Sequence, residues 1–224
     1  MSDIAVVTGA AGALGRAVVA DLRERDWTVV AFDRPGPALD DIGSLAGVHP
    51  VEVDLTDRAA VGRAWQQADA IGSASALIAL AGGFVPGSLA ELDEQALAAL
   101  WESNVVSLLW CCQQGATRLA GGGAIVTVGS KTAVTGQAAV AHASSKAAVV
   151  RITELLADEL RPEGIRVNCV LPSVIDTPAN RTWMPESLAE RAVAPEAIAK
   201  VIAFLVGPDS APISGARVPV YGDA

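Results

Sequence analysis

Short apolar runs alternate with longer amphipathic segments from one end of the chain to the other. Ile4-Ala5-Val6-Val7 precedes Leu14 to Arg25, where apolar residues recur at helical spacing. The runs Thr28 to Phe32 and Val48 to Val53 come next, then the helical segment Arg58 to Ala70 and the run Ala76 to Leu80. Asp93 to Ala120 is mostly apolar at helical spacing and predicts one or two long helices. Ala124 to Val128, Ala138 to Leu160, Ile165 to Leu171, Pro195 to Val206 and Arg217 to Tyr221 carry the alternation to the end. Strands separated by helices in this way predict α/β architecture: one domain over residues 1–224, a doubly wound parallel sheet of about seven strands, helices on both faces.

The first turn changes the picture from fold to ligand. Thr8-Gly9-Ala10-Ala11-Gly12-Ala13-Leu14-Gly15 lies between the first strand and the first helix. Glycines there let backbone approach a pyrophosphate, and the free amides at the helix start supply donors and a positive dipole end. This is the Rossmann-type arrangement, with Gly9, Gly12, Ala13, Leu14 and Gly15 as cofactor contacts. The second strand ends in Asp33, eighteen residues after Gly15, where an acid accepts hydrogen bonds from the adenosine ribose. Its charge would repel a 2′-phosphate and favours NAD(H), while neighbouring Arg34 partly offsets it and leaves NADP(H) possible. Arg34 to Gly47 reads as a loop passing the adenosine end. Asp54-Leu55 closes the third strand, where Asp54 either contacts adenine or caps the helix starting near Asp57. Ala81-Gly82-Gly83 ends the fourth strand and allows close approach of a flat ligand.

Composition narrows the partners. The chain has 224 residues, 51% of them hydrophobic and 18% charged, enough for one α/β domain with a large core. A net charge of -9 without a basic run argues against nucleic acid or an anionic membrane as partner. No signal pattern and no membrane-length apolar segment is present, so a cytoplasmic location is expected. Cys111, Cys112 and Cys169 are an odd number, and neither His49 nor His142 stands at a ligand spacing from them; buried thiols are expected, and no metal.

Candidate chemistry gathers in the second half. Asn104 sits in apolar surroundings and must find partners, either a local backbone carbonyl or water beside a lysine. Ser130 follows the fifth strand. His142 and Lys146, four residues apart, share a helical face within the small apolar stretch Ala138 to Ala148. After the sixth strand, Pro172 and Thr177 belong to a loop that can lie over a nicotinamide, and the irregular segment to Ala194, with Trp183, Met184 and Pro185, is a candidate substrate lid.

These residues together resemble the short-chain dehydrogenase/reductase family over essentially the whole chain. The glycine motif corresponds to Thr8 to Gly15 with Ala13 at its middle glycine; the ribose acid falls on Asp33 and the adenine-binding aspartate on Asp54. The Asn-Asn-Ala-Gly motif falls on Ala79-Leu80-Ala81-Gly82, where both asparagines are missing. The catalytic asparagine and serine match Asn104 and Ser130, the lysine of Tyr-x-x-x-Lys matches Lys146, and the tyrosine position is His142. Within the family the chain is most similar to dihydropteridine reductase-like members, through Gly12-Ala13-Leu14-Gly15, Asp26-Trp27, Ala81-Gly82-Gly83, Leu171-Pro172, Asp176-Thr177-Pro178, Asn180-Arg181 and Met184-Pro185.

The resemblance implies an NAD(P)-dependent reductase of a C=O or C=N bond in a small organic substrate, active as a homodimer or homotetramer. His142 then stands as proton donor, its pKa lowered by Lys146, assisted by Ser130 and a water. Two other readings keep the cofactor fold: His142 as base in an isomerase, dehydratase or cyclase, or a non-catalytic NAD-binding subunit.

Overall fold

The computed structural model describes residues 3–119 and 121–223. Seven strands form one parallel sheet in the order β3-β2-β1-β4-β5-β6-β7: Ile4–Thr8 (β1), Thr28–Asp33 (β2), Val48–Glu52 (β3), Ala76–Ala79 (β4), Gly123–Val128 (β5), Ile165–Pro172 (β6) and Arg217–Val220 (β7). The strand order reverses between β1 and β4, which opens a crevice at their carboxyl ends, where such sheets bind ligands.

Side chains along the inner strands β1, β2, β4, β5 and β6 divide between two cores. In β1, Val6 joins the core beneath the helices Arg58–Ile71 (α3), Ser107–Arg118 (α5) and Val140–Glu159 (α6). Its neighbours Ala5 and Val7 point the other way, into the core under Ala13–Glu24 (α1), Pro37–Gly43 (α2) and Pro195–Val206 (α9). Both faces are therefore dry, which is why these strands read as continuous apolar runs. Trp65 of α3 is fully buried and meets Phe32 edge to face at 5.9 Å. All three cysteines are buried as free thiols.

Two expectations, for residues 34–47 and for the segment to Ala194, are corrected, and one, of one or two helices over Asp93 to Ala120, is met. The supposed loop Arg34 to Gly47 contains α2: Pro37 marks the first helical turn, where a missing N–H costs nothing, rather than a break. The segment Asp93 to Ala120 divides into Glu94–Trp101 (α4) and α5, joined by a π-helical turn at Glu102–Val106; Ala120 lies outside the described residues. The segment to Ala194 contains the short helices Pro178–Arg181 (α7) and Glu186–Ala189 (α8). No helix among the described residues is long and apolar enough to cross a membrane.

Candidate active site

The glycine turn is built by exclusion. Gly9 has φ 65°, and a Cβ there would lie 2.9 Å from the Ala81 nitrogen. Gly15 sits in the first turn of α1 so close to the preceding loop that a Cβ would overlap the Gly9 carbonyl oxygen and lie 2.6 Å from that of Ala10. Gly12 occupies the cap of α1, and Ala13 and Leu14 begin it, so the first amides of the helix have no side chain over them. Asp33 ties the turn to β2: one carboxylate oxygen accepts from the Ala11 amide at 2.8 Å, the other from the Arg34 amide at 2.8 Å. Close backbone, open amides and a carboxylate at the next strand end fit a dinucleotide's pyrophosphate and ribose.

Asp54 does not cap α3. Its Oδ1 accepts from the Thr56 amide at 2.9 Å and hydroxyl at 2.7 Å, which hold the carboxyl below its ordinary pKa. Asp57 is the cap, accepting from Ala59 at 2.8 Å, because it stands directly before the helix. Leu55 packs into the core. Thr177 caps α7 by accepting from the Asn180 amide at 3.1 Å and lies outside the main cleft.

That cleft, about 710 Å³, brings together Leu14, Gly82, Gly83, Ser130, His142, Lys146 and Pro172. Lys146 is 8% exposed, its Nζ donating to the Val128 carbonyl at 2.9 Å, and burial pushes its pKa down to about 8. His142, one turn earlier, is pushed down to about 4: burial is the larger cause, Lys146 the second, and the Gly83 backbone opposes them. Its Nδ1 is buried without a hydrogen-bond partner. The imidazole is therefore neutral at pH 7, with desolvation outweighing the lysine's field. Ser130 Oγ lies 2.8 Å from the Thr132 hydroxyl.

Asn104 stands behind this wall, and its side chain is fully engaged. Oδ1 accepts from the Gly83 amide at 2.8 Å, while Nδ2 donates to the Gly83 carbonyl at 3.2 Å and to Ser145 Oγ at 2.9 Å. Ser145 in turn donates to the His142 carbonyl at 2.8 Å. The backbone it binds is that of Gly83, 21 residues away, rather than a local carbonyl. A Cβ on Gly82 would lie 2.5 Å from Asn104 Oδ1 and 3.2 Å from Lys146 Nζ, so a side chain here would push against both groups. Sequence reasoning missed Ser145 and Phe84: the first was signalled only by its helical spacing from His142, the second by nothing local.

Residues 3–187 match the short chain dehydrogenase family model. The chain belongs to the short-chain dehydrogenase/reductase family. Among relatives, it is 34% identical over 236 residues to cis-4-hydroxycyclohexanecarboxylate dehydrogenase of Sinomonas cyclohexanicum, covering 98% of this chain and 95% of that protein. It is 28% identical over 241 residues to meso-2,3-butanediol dehydrogenase of Serratia marcescens, covering 100% and 94%. The solved short-chain dehydrogenase/reductase from Serratia marcescens BCRC 10948 superposes with a TM-score of 0.91 at 29% identity, covering 99% of this chain and 97% of that one. As a short-chain dehydrogenase/reductase, the chain is an NAD(P)-linked oxidoreductase acting on a small organic substrate.

Proposed function

We propose that the protein reduces a C=O or C=N bond with NAD(H) and that His142 takes the tyrosine's place as proton donor. The observation carrying this reading is the His142 ring itself: neutral, facing the same cleft as Ser130 and Lys146, with one ring nitrogen buried and unpartnered. When bound, the dinucleotide supplies the hydride. Gly9, Gly12, Ala13, Leu14 and Gly15 would hold its pyrophosphate, Asp33 and Arg34 its ribose, Asp54 and the Leu55 backbone its adenine, and Ala81, Gly82, Gly83, Lys146 and Pro172 its nicotinamide half. Ser130 donates to the substrate heteroatom. His142 gives its ring N–H proton to that atom, its other ring nitrogen takes up one solvent proton relayed by water, and the ring ends neutral in its other tautomer, so each turnover consumes one proton from solvent. Lys146 keeps the ring from accumulating positive charge, and Asn104 positions Gly83 and α6.

Asp33 supports NAD(H), because a 2′-phosphate would stand beside its carboxylate. A conjugated C=N substrate rests only on the residues that resemble dihydropteridine reductase-like members, and a carbonyl on the relatives' names. All seven strands in one sheet support a single domain. The half-exposed Leu97, Trp101, Leu109 and Leu155 support a homodimer or homotetramer, and three free thiols a cytoplasmic enzyme.

The test is NADH oxidation on a ketone and imine panel by the natural protein, His142→Ala and His142→Tyr. His142→Ala is expected to lose about 10²-fold or more in kcat, and His142→Tyr to recover it. Full turnover by His142→Ala removes the imidazole from the reaction, and product formed without NADH consumption assigns the site to non-redox chemistry.

A further inference from the structure

The outer wall of the cleft is aromatic in a chain poor in aromatics. Phe84 directly follows Gly83, and Trp183 lies between α7 and α8; their ring planes are 23° apart with centroids 6.0 Å apart. Phe84 also meets the His142 ring edge to face at 4.9 Å. The two side chains remain 48% and 50% exposed.

Their backbones are nevertheless pinned. Asn104 grips both backbone groups of Gly83, next to Phe84. The Asn180 carbonyl accepts from the Trp183 and Met184 amides at 3.1 and 3.0 Å, and the Asn180 side chain donates to the Ile175 carbonyl at 2.9 Å. Met184 anchors the segment in the protein. Two large rings held on ordered backbone with their surfaces left to water are a cost in the free protein, which a flat ligand offsets without further ordering. Lys131 and Lys146 line the cleft and no carboxylate does among the described residues, so a cationic substrate finds no counter-charge.

We propose that Phe84 and Trp183 form the platform on which the substrate's ring stacks, so that the enzyme selects uncharged ketones or imines carried on a flat aromatic ring system over puckered or open-chain ones. This rests on the reductase reading above. The platform lies beside His142, which places the ring's reducible bond next to the proton donor. Trp183 contributes its ring from the pinned segment between α7 and α8.

Three ten-carbon ketones separate flatness from apolar size: 2-tetralone, 2-decalone and decan-2-one. The natural protein is expected to favour 2-tetralone over 2-decalone in kcat/KM by about tenfold, the scale of one well-made aromatic contact. Decan-2-one should be poorer still. In Trp183→Leu and Phe84→Leu the ratio of the two cyclic ketones collapses toward one, mainly through KM, with NADH binding by fluorescence showing that both variants are folded. A ratio near one in the natural protein, or one that survives both substitutions, overturns the platform and leaves the reductase reading intact. If no ketone is turned over, the reductase reading fails separately. The platform is then decided by saturation-transfer NMR of 2-tetralone and 2-decalone on the NADH complex: a preference for 2-tetralone that Trp183→Leu abolishes supports it, and equal binding overturns it.

Discussion

Replacing Asn104 by alanine tests whether this residue holds the site together or only serves the reaction. The side chain is 1% exposed and makes three hydrogen bonds, two to Gly83 and one to Ser145. Gly83 is half-buried and recovers part of its loss from water, whereas Ser145 is fully buried and keeps only its bond to His142. A buried polar group left unpaired costs about 1–3 kcal/mol, and the alanine leaves a small cavity besides, so Asn104→Ala should cost about 2–3 kcal/mol. For a chain of this size that is a fall in Tm of about 5–10 °C. Thermal unfolding followed by circular dichroism reads it directly, and Ser145→Ala in the same background should cost less than it does alone, because the two share one bond. An Asn104→Ala protein with unchanged Tm and lowered turnover would refute the clamp and make water organisation the residue's role.

Gly15→Ala forces a methyl against the backbone oxygens of Gly9 and Ala10, neither of which can yield, and should weaken NADH binding at least about tenfold by fluorescence titration; unchanged affinity would mean that the turn is not the cofactor cradle. Asp33→Asn removes the charge that disfavours a 2′-phosphate and one acceptor for the Ala11 and Arg34 amides, so the ratio of NADPH to NADH dissociation constants should fall by about tenfold. His142 has its folded pKa lowered from 6.5 to about 4, so the unfolded chain binds the extra proton between those values and the group's contribution to stability is lost as pH falls from about 6.5 toward 4. The Tm of the natural protein should therefore drop more between pH 7 and pH 5 than that of His142→Asn, and parallel curves would contradict a buried neutral imidazole. Lys146 acts higher up: with its folded pKa lowered from 10.5 to about 8, it adds stability as pH rises through that window, and Lys146→Met should lack the rise.

Strands and helices were legible because burial on both sheet faces leaves a simple mark, continuous apolar runs between helical periods. Where local signals compete, legibility failed: Pro37 reads equally as a breaker and as a helix start, and only the packing of Leu39 and Ile42 under the sheet selects the second. The same holds for Asp54 and Asp57, both good caps by type, of which one stands next to the helix.

By itself the sequence determined the architecture, the glycine turn with Asp33 across from it, and the pairing of His142 with Lys146 on one helical face, since each depends on spacing within a few residues or on a repeated period. The tertiary structure alone decided what those groups experience. Asn104 and Gly83 lie 21 residues apart and Asn104 and Ser145 41 apart, so no local pattern encodes their bonds. Phe84 and Trp183 become neighbours only when the ends of β4 and β6 are brought to one sheet edge. The protonation of His142 and Lys146 follows from how much water the fold removes from them, a quantity set by every element packed around the cleft and by no residue type alone.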